Sequence, residues 1–180
     1  KGFASQDTLS GEAGHDTIYG GSGSDTLSGG DGHDLLYGGT GSGGGDSVVG
    51  SNSDTLSGGS GDDTLYGEAG PDLMIGGSDN DHYVVDHKQD TITDSDGSMD
   101  SVFVDYSGSN GDSYDLPSGI EHAALSSSSN LTLNGNELNN QLTGNTLNNQ
   151  ISGSSGSDTL YGLVGDDTLD GEDGADLMFG

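Results

Sequence analysis

Residues 11–37 read GEAGHDTIY, GGSGSDTLS and GGDGHDLLY, which are three consecutive nine-residue units. Each unit begins with a glycine-rich segment, carries aspartate at its sixth position and has an apolar residue at its eighth. Glycine reaches positive φ without strain, so the first six residues favour a turn. The last three favour a short strand whose middle side chain points to one face, because strand side chains alternate.

The sixth-position residue shows how far this repeat extends in both directions. It recurs every nine residues at Asp7, Asp16, Asp25 and Asp34, and the series resumes at Asp46, Asp54, Asp63, Asp72, Asp81 and Asp90. Asp46 follows Asp34 by twelve residues and precedes Asp54 by eight, so we place a unit at Asp46, with three residues inserted within 38–45. The spacing returns at Asn140, Asn149, Asp158, Asp167 and Asp176.

The repeat predicts an all-β architecture made of stacked coils. One turn and one strand reverse the chain, so two nine-residue units complete a coil of 18 residues. Stacking brings loops 18 residues apart into register and leaves the apolar residues in a thin core between two parallel sheets. Aspartates 18 residues apart then lie about one strand spacing apart, roughly 4.8 Å. Like charges at that distance repel strongly unless a cation lies between them.

The composition leads to the same requirement for a cation. Among 180 residues, 31 are acidic and only two are Lys or Arg, which gives a formal net charge of −29. Nucleic acid is therefore excluded as a partner, because it is a polyanion. No apolar run reaches the roughly 20 residues of a membrane-spanning helix, so we expect no membrane insertion. With 27% apolar residues and no cysteine, we expect the fold to need a hard cation such as calcium, which prefers carboxylate and carbonyl oxygens.

The pattern resembles the repeats-in-toxin (RTX) calcium-binding family, whose nonapeptide is G-G-x-G-x-D-x-U-x with U apolar. The resemblance covers roughly residues 2–93 and 135–180. It implies a right-handed parallel β-roll with calcium between same-side loops of adjacent coils. One loop would give the carbonyl oxygens of its second and fourth residues and its aspartate. The loop one coil later would give the carbonyls of its first and third residues and its aspartate.

Transferred to this chain, the resemblance implies about 8–10 calcium ions. One site would combine Glu12, Gly14 and Asp16 with Gly29, Asp31 and Asp34. A second would combine Gly59, Gly61 and Asp63 with Gly76, Ser78 and Asp81, and a third Ser154, Gly156 and Asp158 with Gly171, Asp173 and Asp176. The remaining expected ligands occupy the same loop positions: Asp7, Gly20, Gly21, Ser22, Gly23, Asp25, Gly30, Gly32, Asp46, Gly50, Asn52, Asp54, Gly58, Ser60, Gly67, Glu68, Ala69, Gly70, Asp72, Gly77, Asp90 and Asp167.

Departures from the repeat divide the chain into three predicted segments. Residues 1–93 form a first repeat block, residues 94–134 a bridge of irregular strands and loops, and residues 135–180 a second block. Asp79 stands where glycine is usual, and residues 2–7 match the repeat poorly. The units at 135–152 carry Asn140 and Asn149 in place of aspartate, so we expect a coil without full metal sites there. In the middle of the chain, the sequence predicts strands at 84–86, 91–93 and 101–104, and a turn followed by a strand at 116–121.

Other side chains suggest no catalytic site. His15 and His33 lie 18 residues apart and are expected to stack, filling the variable fifth loop position. The tyrosines that end strands, Tyr19, Tyr37, Tyr66 and Tyr161, are expected to cover the surface of the roll or to offer a ligand platform. No serine lies in a G-x-S-x-G elbow, and the acidic pairs fall inside predicted calcium loops. We therefore expect no enzyme activity in this chain.

Three functions fit these observations. The first is a calcium-induced folding module of a type I secreted, extracellular or cell-surface bacterial protein, an adhesin or a toxin, of which this chain is a piece. Any cell-surface or polysaccharide ligand would be bound through the rest of the parent. The second is the accessory roll of a secreted protease, lipase, or polysaccharide epimerase or lyase. The third, an ice-binding roll, is disfavoured because only one G-T-G occurs, at 39–41.

Overall fold

The computed structural model describes residues 1–2, 5–39, 53–94, 97, 99–106, 112–126 and 131–180. These residues form two compact units, Lys1–Gly97 and Ser98–Gly180. The boundary between the units lies inside the segment 94–134 that the sequence predicts as a bridge. Within the described residues the chain is built from strands, and no helix is long and apolar enough to cross a membrane.

The first unit contains nine strands that alternate between two parallel sheets. The strands are β1 (Thr8–Ala13), β2 (Thr17–Gly21), β3 (Thr26–Asp31), β4 (Leu35–Gly39), β5 (Thr55–Ser60), β6 (Thr64–Glu68), β7 (Leu73–Ser78), β8 (His82–Val85) and β9 (Thr91–Thr93). Odd-numbered strands pair in the order β1-β3-β5-β7-β9, and even-numbered strands pair as β2-β4-β6-β8. Each strand therefore pairs with the strand one coil later, as the repeat predicts for a parallel β-roll.

The strand register follows the nonapeptide. Thr8 pairs with Thr26 and Leu9 with Leu27, a separation of 18 residues. Eighth-position side chains point inward and form the core, where Leu27, Leu36, Leu56, Leu65, Met74 and Tyr83 are fully buried. Their neighbours point outward, and Tyr19, Tyr37 and Tyr66 form a stacked ladder with ring centroids 4.7 and 4.8 Å apart. The expectation that these tyrosines cover the outer surface agrees with this placement.

The register across residues 40–52 differs from the sequence prediction. Leu27 pairs with Leu56 and Leu36 with Leu65, a separation of 29 residues instead of 18. Counting Asp46 as a full repeat would have made Asp54 the neighbour of Asp34, whereas the structure places Asp54 beside Asp25 and Asp63 beside Asp34. The pairing therefore passes from β3 to β5 and from β4 to β6, and the paired residues are eleven further apart in sequence than one coil of 18. Asp46, Gly50 and Asn52 themselves lie outside the described residues.

The second unit contains the remaining strands. They are β10 (Ser101–Val104), β11 (Ser113–Asp115), β12 (His122–Leu125), β13 (Thr132–Asn134), β14 (Gln141–Thr143), β15 (Gln150–Ser152), β16 (Ser155–Gly156), β17 (Thr159–Tyr161), β18 (Thr168–Asp170), β19 (Asp173–Gly174) and β20 (Leu177–Phe179). One sheet has the order β10-β12-β14-β17-β20 and another β11-β13-β15-β18, while β16 and β19 form a short pair. All of these pairings within the unit are parallel.

The segment predicted as a bridge contributes strands to this unit. The predicted strands at 91–93 and 101–104 agree with β9 and β10, and residues 84–86 overlap the end of β8. Residues 116–121 form the turn before β12, so the strand expected within them begins at His122 instead. Leu116 and Ile120 are buried, which places this turn over the core. The irregular sequence therefore forms part of the stacked strands of this unit, with β10 pairing to β12 and β12 to β14.

Candidate metal centre

The aspartate loops have a repeated backbone conformation. Their second and fourth residues adopt positive φ, a region that glycine occupies without strain. Five second positions hold another residue in the same region: Glu12 at 73°, Glu68 at 62°, Ser154 at 72°, Leu163 at 75° and Glu172 at 59°. Asp79, which replaces the fourth-position glycine, also adopts positive φ, at 80°. The loop conformation is thus kept where the glycine is absent.

Carbonyl oxygens of neighbouring loops face one another across a narrow gap. Between loops 11–16 and 29–34, an added Cβ at Gly30 would overlap the Glu12 carbonyl oxygen, and one at Gly11 would lie 2.7 Å from the Gly29 carbonyl oxygen. The Asp31 carbonyl oxygen also points into this gap and accepts the Gly14 N–H at 2.8 Å. Oxygens from second, first and third loop positions therefore converge between the same two loops. These are positions from which the predicted site draws its carbonyl ligands.

Sixth-position aspartates form two rows in the first unit. The Asp25 row consists of Asp7, Asp25, Asp54, Asp72 and Asp90, and the Asp16 row of Asp16, Asp34, Asp63 and Asp81. In each row one aspartate donates its backbone N–H to Oδ1 of the aspartate one coil later, at 2.6–3.0 Å. The second unit continues the pattern from Asn140 to Asp158 to Asp176 and from Asn149 to Asp167. This contact fixes the orientation of each carboxylate.

The second carboxylate oxygen, Oδ2, has no hydrogen-bond partner in most of these aspartates. Oδ2 is buried and has no hydrogen-bond partner in Asp16, Asp25, Asp34, Asp63, Asp72, Asp158 and Asp167. In loops 11–16, 29–34 and 58–63, a Cβ added to the first glycine would lie within 2.6 Å of that oxygen or overlap it, so each oxygen turns into its own loop. A buried carboxylate oxygen without a partner is strongly unfavourable in a protein interior. A divalent cation beside it removes that cost, so the residues present fit calcium.

The pKa values of several of these carboxyls are raised, which shows that their charged forms are unfavourable in the metal-free loops. Burial, together with the neighbouring carboxylates of Asp90 and Asp54, raises the pKa of Asp72 to about 8, against the lowering effect of the Asp54 N–H. Burial likewise raises the pKa of Asp54 and of Asp63 to about 6. The pKa of Asp158 is also raised by burial. The loops therefore hold ionised carboxylates poorly on their own, which is the situation that a bound cation corrects.

The three ligand sets written out from the sequence are each brought together in adjacent loops. Pairing of Ala13 with Asp31, of Ser60 with Ser78 and of Ser155 with Asp173 aligns the three pairs of loops. Asp90 differs, because its Oδ2 accepts the His87 N–H at 3.0 Å. The full ligand set, and the number of ions it holds, stays a prediction.

Sequence reasoning missed two loop residues. Gly38 and Gly39 occupy the first two positions of the loop that ends at Ser53 and Asp54: Gly39 pairs with Gly21 and with Glu68. A Cβ added to Gly38 would lie 2.7 Å from Asp54 Oδ2. The signal was present, since a glycine pair follows Leu36-Tyr37 as glycine follows the other strands. The insertion therefore interrupts a loop after its second position.

In the two asparagine loops, 135–140 and 144–149, asparagine side chains accept hydrogen bonds from the backbone of their own loop. In loop 135–140, Asn140 Oδ1 accepts the Asn136 N–H at 2.8 Å, and Asn136 Oδ1 accepts the Leu138 N–H at 2.9 Å. The Asn136 amide also donates to the carbonyl oxygens of Pro117 and Ile120, at 2.7 and 2.8 Å. Loop 144–149 repeats the first two contacts through Asn149 and Asn145. None of the second and fourth residues of these two loops has positive φ.

The sequence matches the RTX calcium-binding nonapeptide repeat over residues 2–36, 10–44, 48–83, 134–164 and 143–178. These matches cover more than half of the chain, so the protein belongs to the RTX calcium-binding nonapeptide repeat family, and the resemblance inferred from the sequence is confirmed. It binds multiple calcium ions in a β-roll, which is a structural calcium-binding domain. A comparison with curated proteins returned no match.

Proposed function

We propose that the chain is a calcium-induced folding module of a larger secreted or cell-surface bacterial protein, most consistent with an adhesin or a toxin. The observation that carries this proposal is the set of buried Oδ2 atoms without partners in the aspartate rows. Without a cation, folding must bury these carboxylates beside one another. With calcium between the loops, the same burial is favourable.

The energetics make calcium a switch for folding. The chain has a formal net charge of −29, and the core of the first unit consists mainly of eighth-position side chains. Ten calcium ions would supply a charge of about +20, which offsets most of the acidic excess. Calcium modules of extracellular proteins bind at about 10⁻⁴–10⁻³ M, which matches an extracellular medium and exceeds the calcium level inside cells. The first unit, at least, would therefore stay unfolded during export and fold outside.

A calcium titration of the whole chain tests this function. Circular dichroism is recorded from excess chelator to about 10 mM calcium, well above the 10⁻⁴–10⁻³ M range, and parallel titrations use magnesium at the same ionic strength. We expect a gain of strand signal with calcium and little with magnesium, because magnesium demands small octahedral sites and dehydrates reluctantly. A full strand spectrum in chelator would overturn calcium-induced folding. Isothermal titration then counts the ions against the expected 8–10.

A further inference from the structure

A second ladder of hydrogen bonds runs along the fifth loop positions, which the nonapeptide pattern leaves variable. In the loops of the Asp16 row, His15 Nδ1 accepts the His33 N–H and His33 Nδ1 accepts the Asp62 N–H, both at 2.9 Å. Asp62 Oδ1 then accepts the Asn80 N–H at 2.9 Å. Four successive loops are thus joined by fifth-position side chains, and the rings of His15 and His33 stack with centroids 5.0 Å apart.

This fifth-position ladder runs opposite to the aspartate ladder. In the aspartate rows, a backbone N–H donates forward to the side chain of the next coil, as from Asp16 to Asp34. In the fifth-position ladder, the side chain accepts from the backbone of the next coil, as His15 does from His33. Neighbouring loops are therefore tied in both directions, on adjacent residues, beside the gap into which the calcium ligands point. In the folded chain these hydrogen bonds help to set the spacing of the gap.

The two rows of the first unit differ in this ladder. On the side of the Asp25 row, Ser24 Oγ accepts the Ser53 N–H at 3.1 Å. The next fifth-position residue is Pro71, which has no backbone N–H to donate and no side-chain acceptor. The ladder therefore cannot pass from Ser53 to loop 67–72. One row has a continuous ladder over four loops, whereas the other is interrupted by proline.

We infer that the fifth-position residues His15, His33 and Asp62 position the calcium loops of the Asp16 row, so that this row binds calcium more tightly than the Asp25 row. Loops already held at the correct spacing lose less conformational freedom when the ion binds, which strengthens binding. The inference rests on the proposed calcium-induced folding and adds an order of filling to it. The second unit uses the same device with asparagine: Asn139 Oδ1 accepts the Ser157 N–H and Asn148 Oδ1 the Asp166 N–H.

A calcium titration followed by amide NMR separates the two rows. Glycine amides of the Asp16 row, at Gly14, Gly32 and Gly61, are compared with Gly23 and Gly70 of the Asp25 row. In the unmodified chain we expect the Asp16 row to reach its bound shifts at a lower calcium concentration. The variant His33→Ala removes one acceptor and should raise the midpoint of the Asp16 row about fivefold, the effect of one ordinary hydrogen bond.

Two further variants make the test specific to positioning. His33→Asn keeps an acceptor of the kind that Asn139 and Asn148 supply, and should restore the midpoint of the Asp16 row. Ser24→Ala removes the corresponding contact on the opposite side, and should raise the calcium midpoint of the Asp25 row only. Equal midpoints for the two rows in the unmodified chain, or an equal shift of both rows in His33→Ala, would overturn the inference. A chain that does not fold with calcium at all would instead refute the proposed function, and circular dichroism reports that result separately.

Discussion

Loop 67–72 and loop 144–149 occupy equivalent places in their coils, yet they are closed by different chemistry. In the first, Asp72 is 2% exposed, its Oδ1 accepts the Asp54 N–H at 2.7 Å, and its Oδ2 has no hydrogen-bond partner. In the second, Asn149 is equally buried, and its Oδ1 accepts the Asn145 N–H of its own loop at 2.8 Å. The aspartate loop leaves an oxygen for a cation, whereas the asparagine loop satisfies its own backbone.

The backbone conformation separates the loops as clearly as the charge does. Glu68 and Gly70 adopt positive φ, whereas Asn145 and Leu147 do not. In the aspartate loops, positive φ at the second and fourth positions accompanies carbonyl oxygens that face the next coil. In the asparagine loop, the Asn145 side chain accepts the Leu147 N–H at 2.8 Å and holds a different turn. One nonapeptide spacing therefore supports two kinds of loop, one that leaves a buried carboxylate oxygen without a hydrogen-bond partner and one whose asparagine side chains bond to its own backbone.

The largest effect that we expect comes from removal of calcium, which should unfold the first unit while the coils with asparagine loops stay folded. In excess chelator, amides of the first unit should exchange with solvent rapidly, while strands β13, β14 and β15 keep measurable protection. The reason is that the loops between these strands are closed by amide side chains. Hydrogen exchange with mass spectrometry measures both regions in one experiment. Equal loss of protection in both regions would show that the asparagine coils also depend on the metal.

Acid should partly replace calcium in the first unit. Burial raises the pKa of Asp54 and Asp63 to about 6 and that of Asp72 to about 8, so the folded metal-free unit binds protons that the unfolded chain does not. Its free energy of unfolding therefore falls as pH rises from the ordinary carboxyl value to about pH 8. Circular dichroism in chelator should show strand signal increasing from pH 8 down to pH 4. A flat profile would contradict this.

Substitution of a single aspartate should act mainly on calcium. Asp72→Ala removes a carboxylate whose row neighbours are Asp54 and Asp90, and it should raise the calcium midpoint for folding about tenfold or more, as expected for loss of a charged ligand. Asp72→Asn keeps an acceptor for the Asp54 N–H and removes only the charge. If the carboxylate matters as a ligand, both variants should shift the midpoint, which a circular dichroism titration measures. An unshifted Asp72→Asn variant would show that the hydrogen bond alone matters.

Loss of Asn136, whose side chain makes several hydrogen bonds, should lower stability and leave calcium affinity unchanged. Asn136→Ala removes two donations, to Pro117 and Ile120, and the acceptor for Leu138. Since one net hydrogen bond contributes about 1 kcal/mol, we expect a loss of about 2–3 kcal/mol in the free energy of unfolding. Thermal unfolding at saturating calcium measures the loss. A shift in calcium midpoint at unchanged thermal stability would place Asn136 in a metal site.

The repeat made most of this architecture predictable, because a period of nine specifies turn, strand and core position together. The register of Leu9 with Leu27 and the stacking of His15 on His33 both follow from a separation of 18 residues. The register across 40–52 was harder to predict, because Asp46 and Val48 fit the repeat in sequence, whereas Gly38 and Gly39 already supply the first two positions of the unit that contains Asp54. The asparagine loops could be recognised as lacking carboxylates. Their closure by Asn136 and Asn145 depends on rotamers that spacing does not determine.

The smallest effect is expected at Asn149, which is the matched control for Asp72. Its amide nitrogen Nδ2 is buried without a hydrogen-bond partner, so the side chain contributes chiefly through Oδ1 and the Asn145 N–H. Asn149→Ala removes that one contact and a donor that was already unsatisfied, so we expect a loss of about 1 kcal/mol in the free energy of unfolding.

The calcium midpoint of Asn149→Ala should stay that of the unmodified chain. The row neighbours of Asn149 are Leu131, which has no oxygen in its side chain, and Asp167, whose Oδ1 accepts the Asn149 N–H from the backbone and therefore keeps its partner in the alanine variant. Parallel calcium titrations of Asn149→Ala and Asp72→Ala, read by circular dichroism, make the comparison direct. A midpoint shift at Asn149 as large as that at Asp72 would mean that the asparagine loops take part in calcium binding, and that the division between two kinds of loop is wrong.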